Sequence, residues 1–217
     1  MEIIVKKDIL SKNKVEARDN RAFAREKGWY LVNVMGSPGA GKTSLIEMLI
    51  KELEDRFKTG VIEGDIASAI DAERMEKAGI PVIQINTGGA CHLDAASVRA
   101  GMEKLPLSEP GIVFIENVGN LVCPASFDLG EDLRLLVSSV PEGYDKPYKY
   151  ISMFAVADVI ALHKEDLIEA DGFETAVFEK GLRMINPEAP LYYTSAKTGK
   201  GISELTRWLA IRIDSRI

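Results

Sequence analysis

The stretch that decides the fold is YLVNVMGSPGAGKTSLIEMLIKELEDRF, residues Tyr30–Phe57. It begins with a short apolar run, Tyr30–Met35, which is typical of a β-strand. The next eight residues, Gly36–Thr43, match the pattern G-x-x-x-x-G-K-[ST]. Apolar residues then recur every three or four positions from Leu45 to Phe57, which predicts a helix with one buried face. The stretch therefore predicts a strand, a glycine-rich loop and a helix.

This order is the structural context in which the loop motif binds phosphates. The backbone N–H groups and the positive end of the helix attract phosphate oxygens, Lys42 adds a charge near the β- and γ-phosphates, and the Thr43 hydroxyl can bind Mg²⁺. A plain glycine-rich turn would explain the glycines but not Lys-Thr at this spacing. We therefore predict nucleoside triphosphate binding. The predicted binding residues are Gly36, Ser37, Pro38, Gly39, Ala40, Gly41, Lys42, Thr43 and Ser44.

The same alternation of strand and helix continues along the chain and predicts an α/β, doubly wound, mainly parallel sheet, because parallel strands need crossover connections. Further strands are predicted at Val61–Glu63, Val82–Asn86, Ile112–Glu116, Leu133–Val140, Val159–Leu162 and Leu191–Tyr193, and a closing helix at Ile202–Ile213. We expect one domain, with residues 1–28 as an exposed N-terminal helical arm, its helix at Asp8–Lys27, and residues 29–217 as the core. Residues Pro141–Tyr150 are predicted to be a polar surface loop.

A magnesium-dependent site also needs an acidic residue at the end of a neighbouring strand. Asp65 follows one predicted strand, and Glu116 ends another. The run ENVGN, Glu116–Asn120, resembles the D-x-x-G segment that senses the γ-phosphate, with Gly119 at its glycine. Asp71 is a weaker third candidate, and each carboxylate could instead be an ordinary solvated group at a strand end.

Two short segments near the C-terminus bear on base recognition. The first is His163-Lys164-Glu165-Asp166, which resembles the guanine-reading N-K-x-D motif, and the second is the run Ser195, Ala196 and Lys197 within TSAKTGKG. Asp166 would accept hydrogen bonds from guanine N1 and N2, and adenine has neither donor. His163 stands where asparagine is usual, so we expect weaker guanine affinity without a reversed preference. Without the second segment, the charged residues Lys164, Glu165 and Asp166 would be interpreted as an ordinary solvated cluster.

Cys91, His92 and Cys123 are the candidate ligands for a softer metal. Thiolate and imidazole groups suit zinc or nickel. Because three ligands do not complete four-coordinate geometry, water, another side chain or a second chain must supply the fourth. The alternative is two buried free cysteines beside an incidental histidine.

Composition excludes several classes of protein. The chain has 217 residues, 46% hydrophobic and 28% charged, with 27 Lys and Arg against 33 Asp and Glu and a formal net charge of -6. These values favour a folded domain and argue against a nucleic-acid partner. We expect no membrane partner, because no run approaches the ~20 apolar residues that span a bilayer. The start MEIIVKKDILSKNK lacks the features of a secretory signal, so we expect a cytoplasmic protein.

The ordered motifs GSPGAGKT, EGDIAS, NTGGACHLDA, ENVGNLVCP, K-E-D and TSAKTGKG resemble the HypB family of hydrogenase-maturation GTPases over essentially the whole chain. The segments GGACHLDA and ENVGNLVCP are the specific ones. The resemblance implies a SIMIBI-type G domain, GTP/GDP and Mg²⁺ as cofactors, and slow GTP hydrolysis that serves nickel insertion into [NiFe] hydrogenase. It also implies a GTP-dependent homodimer with Ni²⁺ or Zn²⁺ bound by Cys91, His92 and Cys123 near the interface.

The expected partners, again by resemblance, are a HypA-like nickel chaperone and the hydrogenase large subunit. The N-terminus lacks the cysteine-rich and histidine-rich nickel segments of some members, so nickel would use the G-domain site. Two alternatives remain open: a urease-accessory nickel GTPase, and a zinc-stabilised storage or interaction module with incidental hydrolysis. The first resembles the chain less, because its metal motif is Cys-Pro-His. A small-molecule kinase would not need the guanine-reading segments.

Overall fold

A computed structural model describes residues 6–65 and 70–216. Residues 66–68 of the EGDIAS motif lie outside these ranges. Within them the strands are β1 (Trp29–Gly36), β2 (Lys58–Asp65), β3 (Val82–Asn86), β4 (Gly111–Glu116), β5 (Leu133–Ser139), β6 (Val159–His163) and β7 (Leu191–Thr194). The helices are α1 (Lys6–Lys27), α2 (Lys42–Leu53), α3 (Ile70–Lys77), α4 (Ala95–Lys104), α5 (Lys146–Lys149), α6 (Ile151–Ala155), α7 (Ile168–Asp171), α8 (Thr175–Ile185) and α9 (Ile202–Asp214).

The seven strands form one sheet in the order β3-β2-β4-β1-β5-β6-β7, and each adjacent pair is parallel. The prediction of a doubly wound parallel sheet is therefore confirmed, with all seven strands near their expected positions. Strand β1 lies at the centre, and its carboxyl end leads directly into the glycine-rich loop. Because all strands run in the same direction, the segments that follow them gather at one edge of the sheet, which is where ligands bind in this architecture.

Alternate residues of β1 supply cores on the two faces of the sheet. Val32 and Val34 pack with the buried side chains of α2 and α9, including Leu45, Leu49 and Leu209. Leu31 and Met35 point to the opposite face, which is covered by α1, α4, α6 and α8. A central strand buried on both faces explains its nearly continuous apolar run.

Helix α1 is present as predicted, but the expectation that it is exposed is wrong for one of its faces. Asn13, Ala17, Asn20 and Ala24 are buried at spacings of four, three and four residues. They form a stripe that packs on α4 and on the loop before β5. Two of its four members are polar, so a search for apolar periodicity does not detect it.

The segment Pro141–Tyr150 differs from the predicted loop. A 3₁₀ turn at Val140–Glu142 overlaps its start, and the short helix α5 lies within it. Glu142 turns back to accept hydrogen bonds from the Ser139 backbone and hydroxyl, at 2.7 and 3.0 Å.

In the described residues, no helix is long and apolar enough to cross a bilayer.

Candidate functional site

The glycine-rich loop forms one wall of a cavity of about 480 Å³ at the carboxyl edge of the sheet. Five lengths of chain meet there: the loop and the start of α2, the end of β2, helix α3, the segment after β4, and the segment after β6. The lining residues are Pro38, Gly39, Gly41, Lys42, Thr43, Ser44, Glu63, Gly64, Asp65, Asp71, Arg74, Glu116, Asn117, Val118, Gly119 and Lys164. The sequence predictions for the phosphate and magnesium groups thus meet at one place.

Lys42 is buried at the first position of α2, and its Nζ donates to the Ser37 carbonyl at 3.2 Å. Burial lowers the pKa of Lys42, and the nearby Glu116 carboxylate opposes that effect. Ser37 is held in turn by a hydrogen bond from its hydroxyl to Glu142. The ammonium group is therefore desolvated and poised beside the loop, where a phosphate would provide a stronger counter-charge.

Thr43 and Glu116 lie side by side below the loop. The Thr43 hydroxyl donates to Glu116 Oε1 at 2.9 Å, whereas Glu116 Oε2 is buried without a hydrogen-bond partner. Burial raises the pKa of Glu116 to about 7, against the lowering effect of Lys42. A buried oxygen without a partner beside a hydroxyl oxygen is a donor set that fits a hard cation.

Glu63 is a cavity residue that the sequence reasoning missed. It is paired in register with Glu116 on the adjacent strand, and its Oε2 is also buried without a partner. Burial, reinforced by Glu116, raises the pKa of Glu63 to about 7. The sequence signal for this site was Glu63 itself, a charged residue that directly follows the apolar residues Val61 and Ile62 in a predicted strand. Charged residues rarely lie inside a buried strand.

Asp65 and Asp71 both line the cavity, as does Arg74 of α3. Arg74 forms an ion pair with Glu47 of α2. The motifs contain no arginine, so sequence reasoning offered no candidate for one near the phosphates. Only the position of α3 against the start of α2 brings Arg74 there.

The predicted base-recognition residues gather after β6 and β7. Asp166 accepts a hydrogen bond from the Ser195 hydroxyl at 2.6 Å, and this bond lowers its pKa. Lys197 Nζ lies 3.8 Å from Asp166. Lys164 adopts a left-handed conformation with φ of 58°, and its Nζ donates to the Gly39 carbonyl at 2.7 Å. The two segments therefore contact each other, and Lys164 connects them to the phosphate-binding loop.

His163 is buried between this region and the phosphate-binding loop. Its Nδ1 is hydrogen bonded to Thr194 Oγ1 at 2.9 Å, and its ring would lie 2.6 Å from a Cβ at Gly41. Since Gly41 has φ of +98°, both conformation and space require glycine there. Burial lowers the pKa of His163 to about 4, so the ring is neutral at pH 7.

A second cluster lies beyond the cavity, where the loops after β3 and β4 meet. The Sγ atoms of Cys91 and Cys123 are 2.8 Å apart and form no disulfide, and His92 Nδ1 lies 3.5 Å from the Cys91 sulfur. One ligand atom from each of the three residues lies within 4.8 Å of the others, and all three are half-buried. Burial lowers the pKa of His92, which favours the neutral imidazole that binds metals. The structure thus brings together three residues separated by up to 32 positions in sequence.

The segment Glu116–Cys123 connects this cluster to the cavity. Asn117 Oδ1 accepts the backbone N–H of Leu93, next to His92, at 3.1 Å. Asn120 Oδ1 accepts the Cys123 N–H at 3.3 Å, while the Asn120 N–H donates to the Gly36 carbonyl at 3.0 Å. Gly119 packs so closely on Pro38 that a Cβ would lie 2.8 Å from it. One short segment therefore contacts the phosphate-binding loop and the loop of Cys91 and His92, and it carries Cys123 itself.

Comparison with known proteins decides the family. The model of the family described as CobW/HypB/UreG, nucleotide-binding domain, matches residues 30–193. The hydrogenase maturation factor HypB of Rhizobium leguminosarum bv. viciae is 46% identical over 209 residues, covering 96% of this chain and 70% of the relative. The chain belongs to the HypB family. The resemblance found in the motifs is confirmed.

Solved HypB structures agree with this assignment. HypB from Helicobacter pylori in complex with nickel has a TM-score of 0.89 and 36% identity, covering 94% of this chain and 96% of that chain. HypB from Archaeoglobus fulgidus has a TM-score of 0.87 and 40% identity, covering 94% and 99%. The HypB fold therefore extends over nearly all of this chain.

Proposed function

We propose that this protein is a GTP-binding, slowly GTP-hydrolysing metallochaperone that assists nickel insertion during [NiFe] hydrogenase maturation. The observation that carries the proposal is the segment Glu116–Cys123, which joins a phosphate-binding cavity to a Cys-His-Cys cluster. Relatives named as hydrogenase maturation factors and a related structure in complex with nickel support it.

In the nucleotide reaction, the backbone of the glycine-rich loop and Lys42 hold the phosphates. Asp166 accepts the guanine donors, with Ser195 orienting its carboxylate. Thr43 and Glu116 would hold Mg²⁺, with Asp65 at the neighbouring strand end, and the ion would offset charge on the phosphate oxygens. Water attacks the γ-phosphate in line, and Lys42 stabilises the developing charge. Hydrolysis is slow because Arg74, the arginine that lines the cavity among the residues the structure describes, is paired with Glu47 and does not offset charge on the phosphates.

Nickel is the cargo in this proposal. Two thiols and one imidazole bind a borderline cation such as nickel or zinc, and four-coordinate geometry leaves a position for a fourth donor. A homodimer formed in the GTP state would supply that donor from the same residues of a second chain. A HypA-like chaperone would deliver the metal, and the hydrogenase large subunit would receive it. We place this metal transfer in the cytoplasm, where thiols stay reduced. We assign both nucleotide binding and metal binding to a single G domain.

The test is metal affinity as a function of nucleotide. Nickel and zinc affinities are measured by competition with a chromophoric chelator, with GDP or a non-hydrolysable GTP analogue bound. We expect the wild type to bind metal with different affinity in the two states, and Cys123→Ala to lose most metal affinity while retaining GTP. Val122→Ala is the matched control, since Val122 is exposed next to Cys123. Equal affinity and stoichiometry in both nucleotide states would overturn metal delivery and leave a zinc-stabilised module with incidental hydrolysis.

A further inference from the structure

Two buried asparagines of α1 each bridge the same two loops. One loop leads from His92 into α4, and the other leads from Cys123 towards β5. Asn20 Nδ2 donates to the carbonyls of Ala95 and Leu129, both at 2.8 Å. This side chain is only 1% exposed, so solvent cannot replace either hydrogen bond.

Asn13 repeats the arrangement two turns earlier in the helix. Its Oδ1 accepts the Ala95 N–H at 2.9 Å, and its Nδ2 donates to the Asp128 carbonyl at 2.7 Å. The backbone N–H and C=O of Ala95 are therefore both held by α1. Arg21 adds an ion pair with the Asp128 carboxylate at 2.6 Å.

The bridged positions lie close to the candidate metal ligands. Ala95 follows His92 by three residues, and Asp128 follows Cys123 by five. Between the two loops, the ring of Phe127 lies on the His92 imidazole, with 3.8 Å between ring centroids. Gly130 lets the second loop approach α1 closely, because a Cβ there would lie 2.6 Å from the Ala17 carbonyl oxygen. Movement of either loop away from α1 would therefore change the separation of the ligands.

We propose that α1 clamps the two ligand loops together, and that Asn20 is a positioning residue that sets the distance between Cys91-His92 and Cys123. The clamp stabilises the arrangement in which both thiols and the imidazole can reach one metal ion. The proposal rests on the metal site of the proposed function. It assigns α1 a role in metal affinity, with no contact between α1 and the metal.

The first test compares metal and nucleotide binding in Asn20→Ala. Loss of the amide removes the bridge between the Ala95 and Leu129 carbonyls, so the loops relax and the ligands separate. We expect the Kd for Ni²⁺ and Zn²⁺ to rise on the order of tenfold, the size typical when a group that orients metal ligands is lost. The Kd for GDP with Mg²⁺ stays within about twofold. Asn13→Ala, which also removes a bridge between the loops, should weaken metal binding in the same direction and serves as the second variant if Asn20→Ala does not fold.

Asn186 offers a matched control. Its Nδ2 also bridges two carbonyls, those of Phe154 at 3.0 Å and Ala157 at 2.8 Å, but these belong to the end of α6 and the turn after it and do not hold a ligand loop. Asn186→Ala should lower thermal stability without changing metal affinity. Unchanged metal affinity in Asn20→Ala, or an equal loss in Asn186→Ala, would overturn the clamp.

A second measurement follows the ligand loops without metal. The equilibrium between the Cys91 and Cys123 thiols and oxidised glutathione forms one intramolecular disulfide and two reduced glutathione molecules, and it reports how often the two sulfurs meet. We expect Asn20→Ala to reduce this equilibrium constant several-fold and Asn186→Ala to leave it unchanged. If the wild type binds no metal through Cys123, the proposed function fails, yet this equilibrium still decides whether α1 positions the loops. An unchanged constant in Asn20→Ala would contradict the clamp.

Discussion

His163 links three parts of the nucleotide site through one buried ring. It ends β6, is hydrogen bonded to Thr194 at the end of β7, and packs on Gly41 of the phosphate-binding loop. Asparagine is usual at this position in the guanine-reading motif, where it braces the base loop against the phosphate-binding loop. The imidazole provides a comparable link, but unlike asparagine it can be protonated.

Acid should therefore destabilise the fold through His163. Its pKa is about 4 when folded, against 6.5 for the free side chain, so the unfolded state binds more protons in this interval and stability falls as the pH falls from 6.5 towards 4. We expect the loss of unfolding free energy between pH 8 and pH 5 to be about 2 kcal/mol smaller in His163→Asn. Urea unfolding at both pH values measures it, and equal losses in the two proteins would refute the assignment. In the same variant, GTP affinity should rise modestly.

Asp166 should determine the choice of base. Its carboxylate can pair with two guanine donors, and a base without them leaves it unsatisfied. Asp166→Asn should shift preference from GTP towards xanthosine triphosphate by an order of magnitude or more, as measured by competition binding. Asp171→Asn makes the same chemical change on the exposed surface of α7 and should have no effect. Equal affinity of the wild type for ATP and GTP would show that the base-loop assignment is wrong.

Lys42 should be indispensable for hydrolysis. Lys42→Ala removes charge-assisted contacts to the phosphates, and the expected outcome is loss of measurable GTP turnover with the circular dichroism spectrum unchanged. Lys51→Ala removes an exposed ammonium group from the same helix and should retain full turnover. A folded Lys42→Ala protein with normal turnover would remove the phosphate-loop interpretation.

At the scale of elements, the segment after β4 contacts the glycine-rich loop at one end and carries Cys123 at the other. Its register is anchored by backbone hydrogen bonds to β1, including Asn117 N–H to the Val34 carbonyl at 3.0 Å. Its side chains reach outward to the loop after β3, where Asn117 Oδ1 binds the Leu93 N–H. A shift of this segment on GTP binding would therefore move groups on both ligand loops, which is the differential contact that coupling requires.

Removing the hydrogen bond between Asn117 and Leu93 should reduce the coupling between nucleotide binding and metal binding more than it reduces the affinity for either ligand. In Asn117→Ala, the Leu93 N–H loses its acceptor, so we expect the ratio of metal affinities between the GTP and GDP states to fall towards one. Chelator competition in each nucleotide state measures the ratio. Asn86→Ala is the control, because Asn86 accepts the Gly88 N–H on the exposed part of the same loop. A wild-type ratio in Asn117→Ala would mean that the coupling takes another route.

At the scale of the whole molecule, we expect a second chain to take part in metal binding. Cys91, His92 and Cys123 provide three ligands, and four-coordinate geometry needs a fourth donor. With a GTP analogue and nickel, sedimentation should give twice the mass of the single chain, and GDP with a chelator should return the monomer. By linkage, any factor by which GTP changes metal affinity must equal the factor by which metal changes GTP affinity. Full four-ligand metal binding by a protein that remains monomeric in every state would contradict a shared site.

Local sequence patterns were sufficient for much of the fold and the nucleotide site. Short apolar runs predict the strands of the sheet, and the 3.6-residue period predicts helix α2, because both patterns depend on residues only a few positions apart. The motif Gly36–Thr43 specifies its own loop, since glycine conformations and the following helix are local properties. The segments that contain Asp166 and Ser195 could be assigned to one base-recognition site in advance because both resemble guanine-reading motifs, and their order and spacing after the glycine-rich loop fit that interpretation.

Only the tertiary structure decided how distant groups come together in space. Cys91 and Cys123 are 32 positions apart, and their sulfurs meet because β2 pairs with both β3 and β4, which brings the following loops together. Glu63 and Arg74 enter the cavity through strand register and helix placement, neither of which is encoded within a short segment. The buried face of α1 could not be predicted from the sequence for the same reason. Asn13 and Asn20 are polar in sequence, and their burial is favourable only because backbone groups of two remote loops satisfy their amides.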